Sequence, residues 1–195
     1  MMPHTRSKQC PARQSHEHGF TLTEILVALV LAGIVMASLY SAYITQQRAY
    51  KTTEDVTAVQ QNLRSAMYFI EKDLRMAGYD PRDSGGFGFT NIVSDTQDNV
   101  RFTLDKNEDG VADATDYIAY RFNAADNTLQ RDGGGGSFFK IASHISSVSF
   151  VFFASEGVTT SNPGSIRTVD VTIEATREGH VRELQTRVLC RNVGL

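Results

Sequence analysis

Three hydrophobic rhythms follow one another along the chain. From Ile25 to Leu39 the residues are apolar on every side, with no ionisable side chain and no proline. Past Tyr40 the polar Gln46, Gln47 and Arg48 break this run, and a one-sided stripe takes over at Val56, Val59, Leu63, Met67, Ile70, Leu74 and Ala77. Steps of three and four mark one face of an amphipathic helix. Glu54, Asp55, Gln61, Arg64, Glu71, Lys72 and Arg75 fall elsewhere around it. Gly78 followed by Pro81 is a helix stop, so the pattern predicts one long helix from about Thr21 to Ala77.

Beyond a glycine-rich linker at 80–90 the period drops to two. Val100, Phe102 and Leu104, then Ile118, Tyr120 and Phe122, alternate with polar neighbours. Leu129 falls in a short return strand, and Val148, Phe150 and Phe152 in a longer one. Val169, Val171 and Ile173 precede the turn Arg177-Glu178-Gly179-His180, after which 182–190 pairs back. The fold class expected is α+β: a long N-terminal helix packed on one antiparallel sheet over 99–191, whose apolar face the helix stripe covers.

The two halves of the helix call for different surroundings. The segment 20–44 is long enough for the ~30 Å hydrocarbon core of a bilayer at 1.5 Å per residue. The leader 1–19 carries Arg6, Lys8 and Arg13 against Glu17, a net +2, which favours a cytoplasmic leader and an exported remainder. The whole chain is −3, so the remainder is −5 and no nucleic-acid-binding face is evident. Cys10 lies in the leader, which leaves Cys190 without a disulfide partner in the domain at 45–195. Its place on the alternation of Leu184 and Val188 marks it as a buried structural thiol. Glu24 stands at the start of the apolar run, where a carboxylate is costly and therefore a functional candidate.

Gly19-Phe20-Thr21-Leu22-Thr23-Glu24 before an apolar helix resembles the class III signal of type IV pilins and pseudopilins. The resemblance implies cleavage by a membrane prepilin peptidase between Gly19 and Phe20, methylation of the new N-terminal Phe20, and Glu24 as the fifth mature residue. It further implies assembly: the Phe20 amine of one subunit pairs with Glu24 of a neighbour and sets their axial register. Asp73-Leu74-Arg75-Met76-Ala77-Gly78-Tyr79-Asp80-Pro81 and the Arg191-Asn192 ending resemble PilW-type minor pilins. The J-type minor pseudopilin of type II secretion shares the plan. The expectation is a minor pilin subunit, first a single-pass inner-membrane precursor and then part of a pilus or pseudopilus alongside other pilin or pseudopilin subunits. A reading from another class is a permanently anchored, calcium-dependent binding domain. An ordinary secretory signal would be cut after the apolar run, near Ala37-Ser38 or Ser41-Ala42.

One loop carries metal chemistry. The stretch 105–116 matches the calcium pattern D-x-[DN]-x-[DN]-G, with acids at its ninth and twelfth places. Ca²⁺ takes six to eight hard oxygens, and a glycine turn lets one short loop wrap it. The ligands expected are Asp105, Asn107, Asp109, the Val111 carbonyl, Asp113 and Asp116, with Asp116 reaching less far than the usual glutamate. The flanks read as strands, so this is no EF-hand; the same residues also suit a solvated acidic hairpin. The run Gly133–Gly136 lacks the lysine and helix of a phosphate loop. His144, His180 and Cys190 form no nucleophilic or zinc constellation, so no enzyme is expected.

N-terminal sequencing of the membrane-extracted protein should begin at Phe20, and Gly19→Ala should leave the leader attached. A mature start near Ser41 would restore the ordinary signal peptide.

Overall fold

The computed structural model describes residues 19–94, 96–155 and 157–193. The leader's charges and Cys10 lie outside the described residues. The chain divides into two compact units, Met1–Ala49 and Tyr50–Leu195. A single helix, α1 (Leu22–Met76), runs through both, within a residue of the sequence-based bounds at either end.

Among the described residues nine strands follow: β1 (Phe89–Thr90), β2 (Thr96–Gln97), β3 (Asn99–Thr103), β4 (Tyr117–Asn123), β5 (Thr128–Asp132), β6 (Phe139–Ser143), β7 (Ile145–Phe153), β8 (Thr168–Arg177) and β9 (His180–Leu189). All pairings are antiparallel. The strands form two sheets where the alternation alone suggests one: a five-stranded sheet in the order β1-β3-β4-β5-β6 and a four-stranded sheet in the order β2-β7-β8-β9. The reason lies at two corners. His144 is the only residue between β6 and β7, and its φ of 62° swings the chain out of the first sheet into the second. Asp98 separates β2, which pairs with β7, from β3, which pairs with β4. No period-two pattern distinguishes a corner of one residue from the middle of a strand. The turn between β8 and β9 is as expected, with Glu178 at φ 49° and Gly179 at φ 80°, the left-handed pair of a two-residue hairpin.

Both sheets and α1 share one core. Val59, Leu63, Met67, Ile70, Leu74 and Ala77 are buried along the helix. Phe102, Ile118, Tyr120 and Leu129 meet them from the first sheet, and Phe150, Phe152, Val169, Val171 and Ile173 from the second. Phe89 bridges the sheets, edge-on to Phe102 (5.8 Å between ring centroids) and to Phe152 (5.9 Å). Cys190 is buried as expected, and desolvation pushes its thiol up to about 12. It therefore stays protonated and inert at neutral pH.

α1 ends where Gly78 adopts φ 76°; its N–H donates to the Thr103 carbonyl at 2.9 Å. A Cβ there would lie 2.8 Å from the Asn192 carbonyl oxygen, so glycine is required both by backbone angle and by space.

Ile70 is fully buried between helix and sheets. Ile70→Ala should cost about 2–5 kcal/mol in denaturant unfolding, whereas Arg64→Ala on the exposed face should stay within about 0.5 kcal/mol.

Candidate functional site

The first helical turn is built by a reciprocal cap. The Thr21 N–H donates to Glu24 Oε2 at 2.9 Å, and the Glu24 N–H donates to Thr21 Oγ1 at 3.3 Å. The Thr21 hydroxyl also donates to Glu24 Oε2 at 3.0 Å. Thr-x-x-Glu is a capping box, which satisfies two N–H groups that a helix start leaves without partners. Sequence reasoning took Glu24 for a membrane-edge acid and overlooked this signal, although the spacing states it plainly. Glu24 thus has local work to do, and its carboxylate is held one residue from Phe20. Phe20 is itself exposed, as are Leu22, Ile25, Leu29 and the apolar residues through Leu39. A window of α1 near the N-terminus has mean hydropathy 2.4, long and apolar enough to cross a membrane.

The acidic loop lies between β3 and β4. Asp105 and Asp116 are buried at its two ends, next to a strand pair that begins at Thr103 and Tyr117. Asp105 accepts the N–H groups of Asp109 (3.2 Å) and Gly110 (3.0 Å), which folds the loop back on itself. Asp116 accepts from the N–H groups of Lys106 (3.2 Å) and Asp113 (3.1 Å). Asp109 accepts from the Val111 N–H and from Asn107 Nδ2, both at 2.7 Å. The Thr115 hydroxyl and N–H both donate to Asp113, which holds its carboxyl below the usual range. Gly110 takes φ 77°, the turn the motif calls for. The six residues are therefore gathered in one loop with the oxygens Ca²⁺ favours, but the carboxylates are turned on backbone N–H groups. Among the described residues no three acidic, histidine or cysteine side chains converge as a ligand set. Lys106 anchors the loop's base by donating its ammonium to the carbonyls of Thr115, Tyr117 and Gly133.

A third constellation has no signal in the linear pattern. Asp73 on α1 is buried, yet it faces the first sheet: Tyr120 Oη donates to Asp73 Oδ2 at 2.6 Å, and Arg131 Nε donates to the same oxygen at 2.7 Å. Desolvation, then the charge of Asp73, pushes the Tyr120 phenol far up. Two more helix acids bind the second sheet. Asp55 pairs with Arg177 at 2.8 Å, and Glu71 accepts from the Thr186 hydroxyl at 2.9 Å. Asp55 is buried although it falls off the apolar stripe that the spacing marks. His144 and His180 stand at a corner and a strand start, and neither joins these clusters.

A family model described as prepilin peptidase-dependent protein B matches residues 52–189. A second, the prokaryotic N-terminal methylation motif, matches residues 14–40, which contain Gly19, Phe20 and Glu24. Among curated proteins none matches the chain.

The Asp73 cluster makes a direct stability prediction. Asp73→Ala strands the Arg131 guanidinium, whose side chain is 29% exposed, so the cost should be roughly 2–4 kcal/mol, below that of a wholly buried broken pair. Arg187→Ala, which breaks a pair whose arginine side chain is 67% exposed, should cost no more than about 1 kcal/mol. Denaturant unfolding of the two variants, compared at equal slope, checks the ranking.

Proposed function

The chain belongs to the prepilin peptidase-dependent protein B family, and from that premise we propose that it is a minor pilin, cut after Gly19 and assembled through α1 into a pilus or its initiating complex. The observation that carries this reading is the junction at 19–24. An exposed Gly-Phe step leads directly into a capped helix, and the carboxylate of the cap accepts the N–H of Thr21, the residue after the one that would become the new N-terminus. Peptidase cleavage there would create an amine on Phe20. Within one subunit Glu24 already accepts from Thr21; in a bundle of such helices its charge also suits the neighbour's amine. An ion pair in low dielectric is costly to leave half-made, by about 3–5 kcal/mol, so it would lock the axial step between subunits. The basic leader would remain cytoplasmic, and the unit from Tyr50 would lie outside the inner membrane. Nothing in this role requires turnover; the protein acts by being built in. A pilus and a type II secretion pseudopilus would use Glu24 alike, and the pilin or pseudopilin subunits that co-purify separate the two.

Glu24 is tested by two substitutions, because one alone confuses the cap with the charge. Glu24→Gln preserves the capping geometry and removes the charge. Glu24→Val removes both, at a cap cost of about 1 kcal/mol. Both variants should insert and be cleaved, since losing a charge eases insertion. Both should fail to enter the fibre or to bind partner subunits. Normal incorporation of Glu24→Gln would mean that Glu24 serves the helix start alone.

We further propose that the loop 105–116 binds Ca²⁺ once the unit is exported. The support is the ligand chemistry of Asp105, Asn107, Asp109, Val111, Asp113 and Asp116 about the Gly110 turn. Asn107 and Asp109 are exposed and can rotate from their hydrogen bonds to an ion. A site of about 10⁻⁴–10⁻³ M suffices at extracellular Ca²⁺ levels. Tenfold excess over the dissociation constant would add roughly 1.4 kcal/mol. A fragment beginning near Tyr50, which holds the whole buried core, should melt higher in Ca²⁺ than in chelator. Mg²⁺ should do less, and Asp105→Ala with Asp109→Ala should abolish the difference. Identical melting of the unaltered fragment in Ca²⁺ and chelator would leave the loop an acidic turn.

A further inference from the structure

The outer faces of the two sheets differ in their charge balance. On the first sheet, the face turned away from α1 presents Arg101, Arg121 and Lys140. Strand register fixes their neighbourhood: Arg121 lies opposite Gln130, Gln130 opposite Lys140, and Arg101 opposite Ala119, two residues before Arg121. Among the described residues none of the three has a carboxylate partner. Arg101 instead lies flat over the Tyr117 ring at 3.7 Å, and Arg121 over Phe138 at 3.9 Å while donating to Gln130 at 2.9 Å. These stacked guanidiniums are held in place before any ligand arrives. Between them Arg101, Tyr117, Phe138, the side-chain-free Gly135 and Gly136, and Asp132 line a groove of about 390 Å³; Asp132 is buried at its floor, its carboxylate accepting the Gly134 N–H at 3.0 Å.

The second sheet shows the reverse. Glu174 and Glu183 are directly opposed across β8 and β9, a like-charge pair that destabilises a sheet. Among the described residues Glu174 accepts only the hydroxyls of Ser146 and Ser147, and Glu183 has no cation. The other charges on that face, Asp170 and Arg187, neutralise each other. Among the described residues the first face therefore carries three cations against the one buried carboxylate of Asp132, while the second carries an acidic pair without a cation.

We propose that the basic face of the first sheet docks the Glu174–Glu183 pair of a second copy of this chain. Arriving cations relieve the repulsion between the two glutamates, and the stacked guanidiniums lose little freedom on binding them. Exposed ion pairs are individually weak, each worth no more than roughly a fivefold change in the equilibrium. Copies held in one membrane meet at high effective concentration, where a weak contact is enough. The charges that make the contact are independent of leader processing, so it stands or falls apart from the pilin reading.

The test uses the uncleaved full-length chain in detergent micelles, with isotopically light and heavy copies mixed. A carbodiimide condenses an amine with a touching carboxylate, so mass spectrometry should find light-to-heavy peptides joining Lys140 to Glu174 or Glu183. Arg101→Glu with Arg121→Glu keeps all three coupled residues, yet should reduce that product about tenfold by turning attraction into repulsion. Raising salt to about 0.5 M, where screening acts within a few ångströms, should also reduce it. Mixing the arginine variant with a Glu174→Lys, Glu183→Lys copy should restore coupling, now between positions 121 and 183. Restored coupling also shows that the variants are folded. Absence of the Lys140 product, coupling of Lys140 to other carboxylates, or a yield unchanged by the arginine substitutions would each overturn the proposal.

Discussion

One stripe of α1 must be covered for anything else in the unit Tyr50–Leu195 to stand. Helices in water are marginal on propensity alone and take most of their stability from burying a face. Here that face runs from Val59 to Ala77, and both sheets close over it. Neither sheet has a second layer of its own on the buried side. The helix is thus the shared floor of two sheets that touch where β7 lies beside β3, β4 and β5.

Apolar contact supplies the adhesion but leaves the helix free to slide or rotate among similar packings. The polar clamps remove that freedom. Asp73 binds Tyr120 and Arg131 from the first sheet, while Asp55 and Glu71 bind Arg177 and Thr186 from the second. A buried carboxylate is tolerable only in the one register where its donors meet it. These contacts tie each sheet to a fixed height on the helix. If α1 is also the element through which subunits pack, whatever fixes the domain on α1 fixes it in the assembly.

Much of this was legible before any coordinates. The three-four spacing from Val56 to Ala77 located the buried face, Gly78 located the stop, and the alternation at 100–104, 118–122 and 169–173 located strands. What escaped was non-local or very short. The buried states of Asp55 and Asp73 depend on residues far away in sequence, the nearest of them 47 positions on, and an acid between apolar turns looks the same whether solvated or clamped. The division into two sheets turns on two corners of one residue each, Asp98 and His144. Strands β1 and β2 have two residues each, too few for any period. At the site, the capping pair Thr21 and Glu24 was open to reading, but the membrane context of Glu24 drew attention away from its neighbour. The loop was legible as a ligand set, while the N–H groups that its carboxylates accept emerge only in three dimensions.

The close approach of Gly78 to Asn192 carries a consequence for how the protein is made. The end of α1 is sealed by the last described residues: Cys190 and Val193 are in the core, and the Asn192 backbone presses on the helix stop. The seat of the helix end is therefore incomplete until the segment 190–193 is in place. Until then the sheets face a helix whose end is open, a closure between parts of the chain far apart in sequence, which comes late in folding. A chain cut before Cys190 would lose that closure together with the core places of Cys190 and Val193.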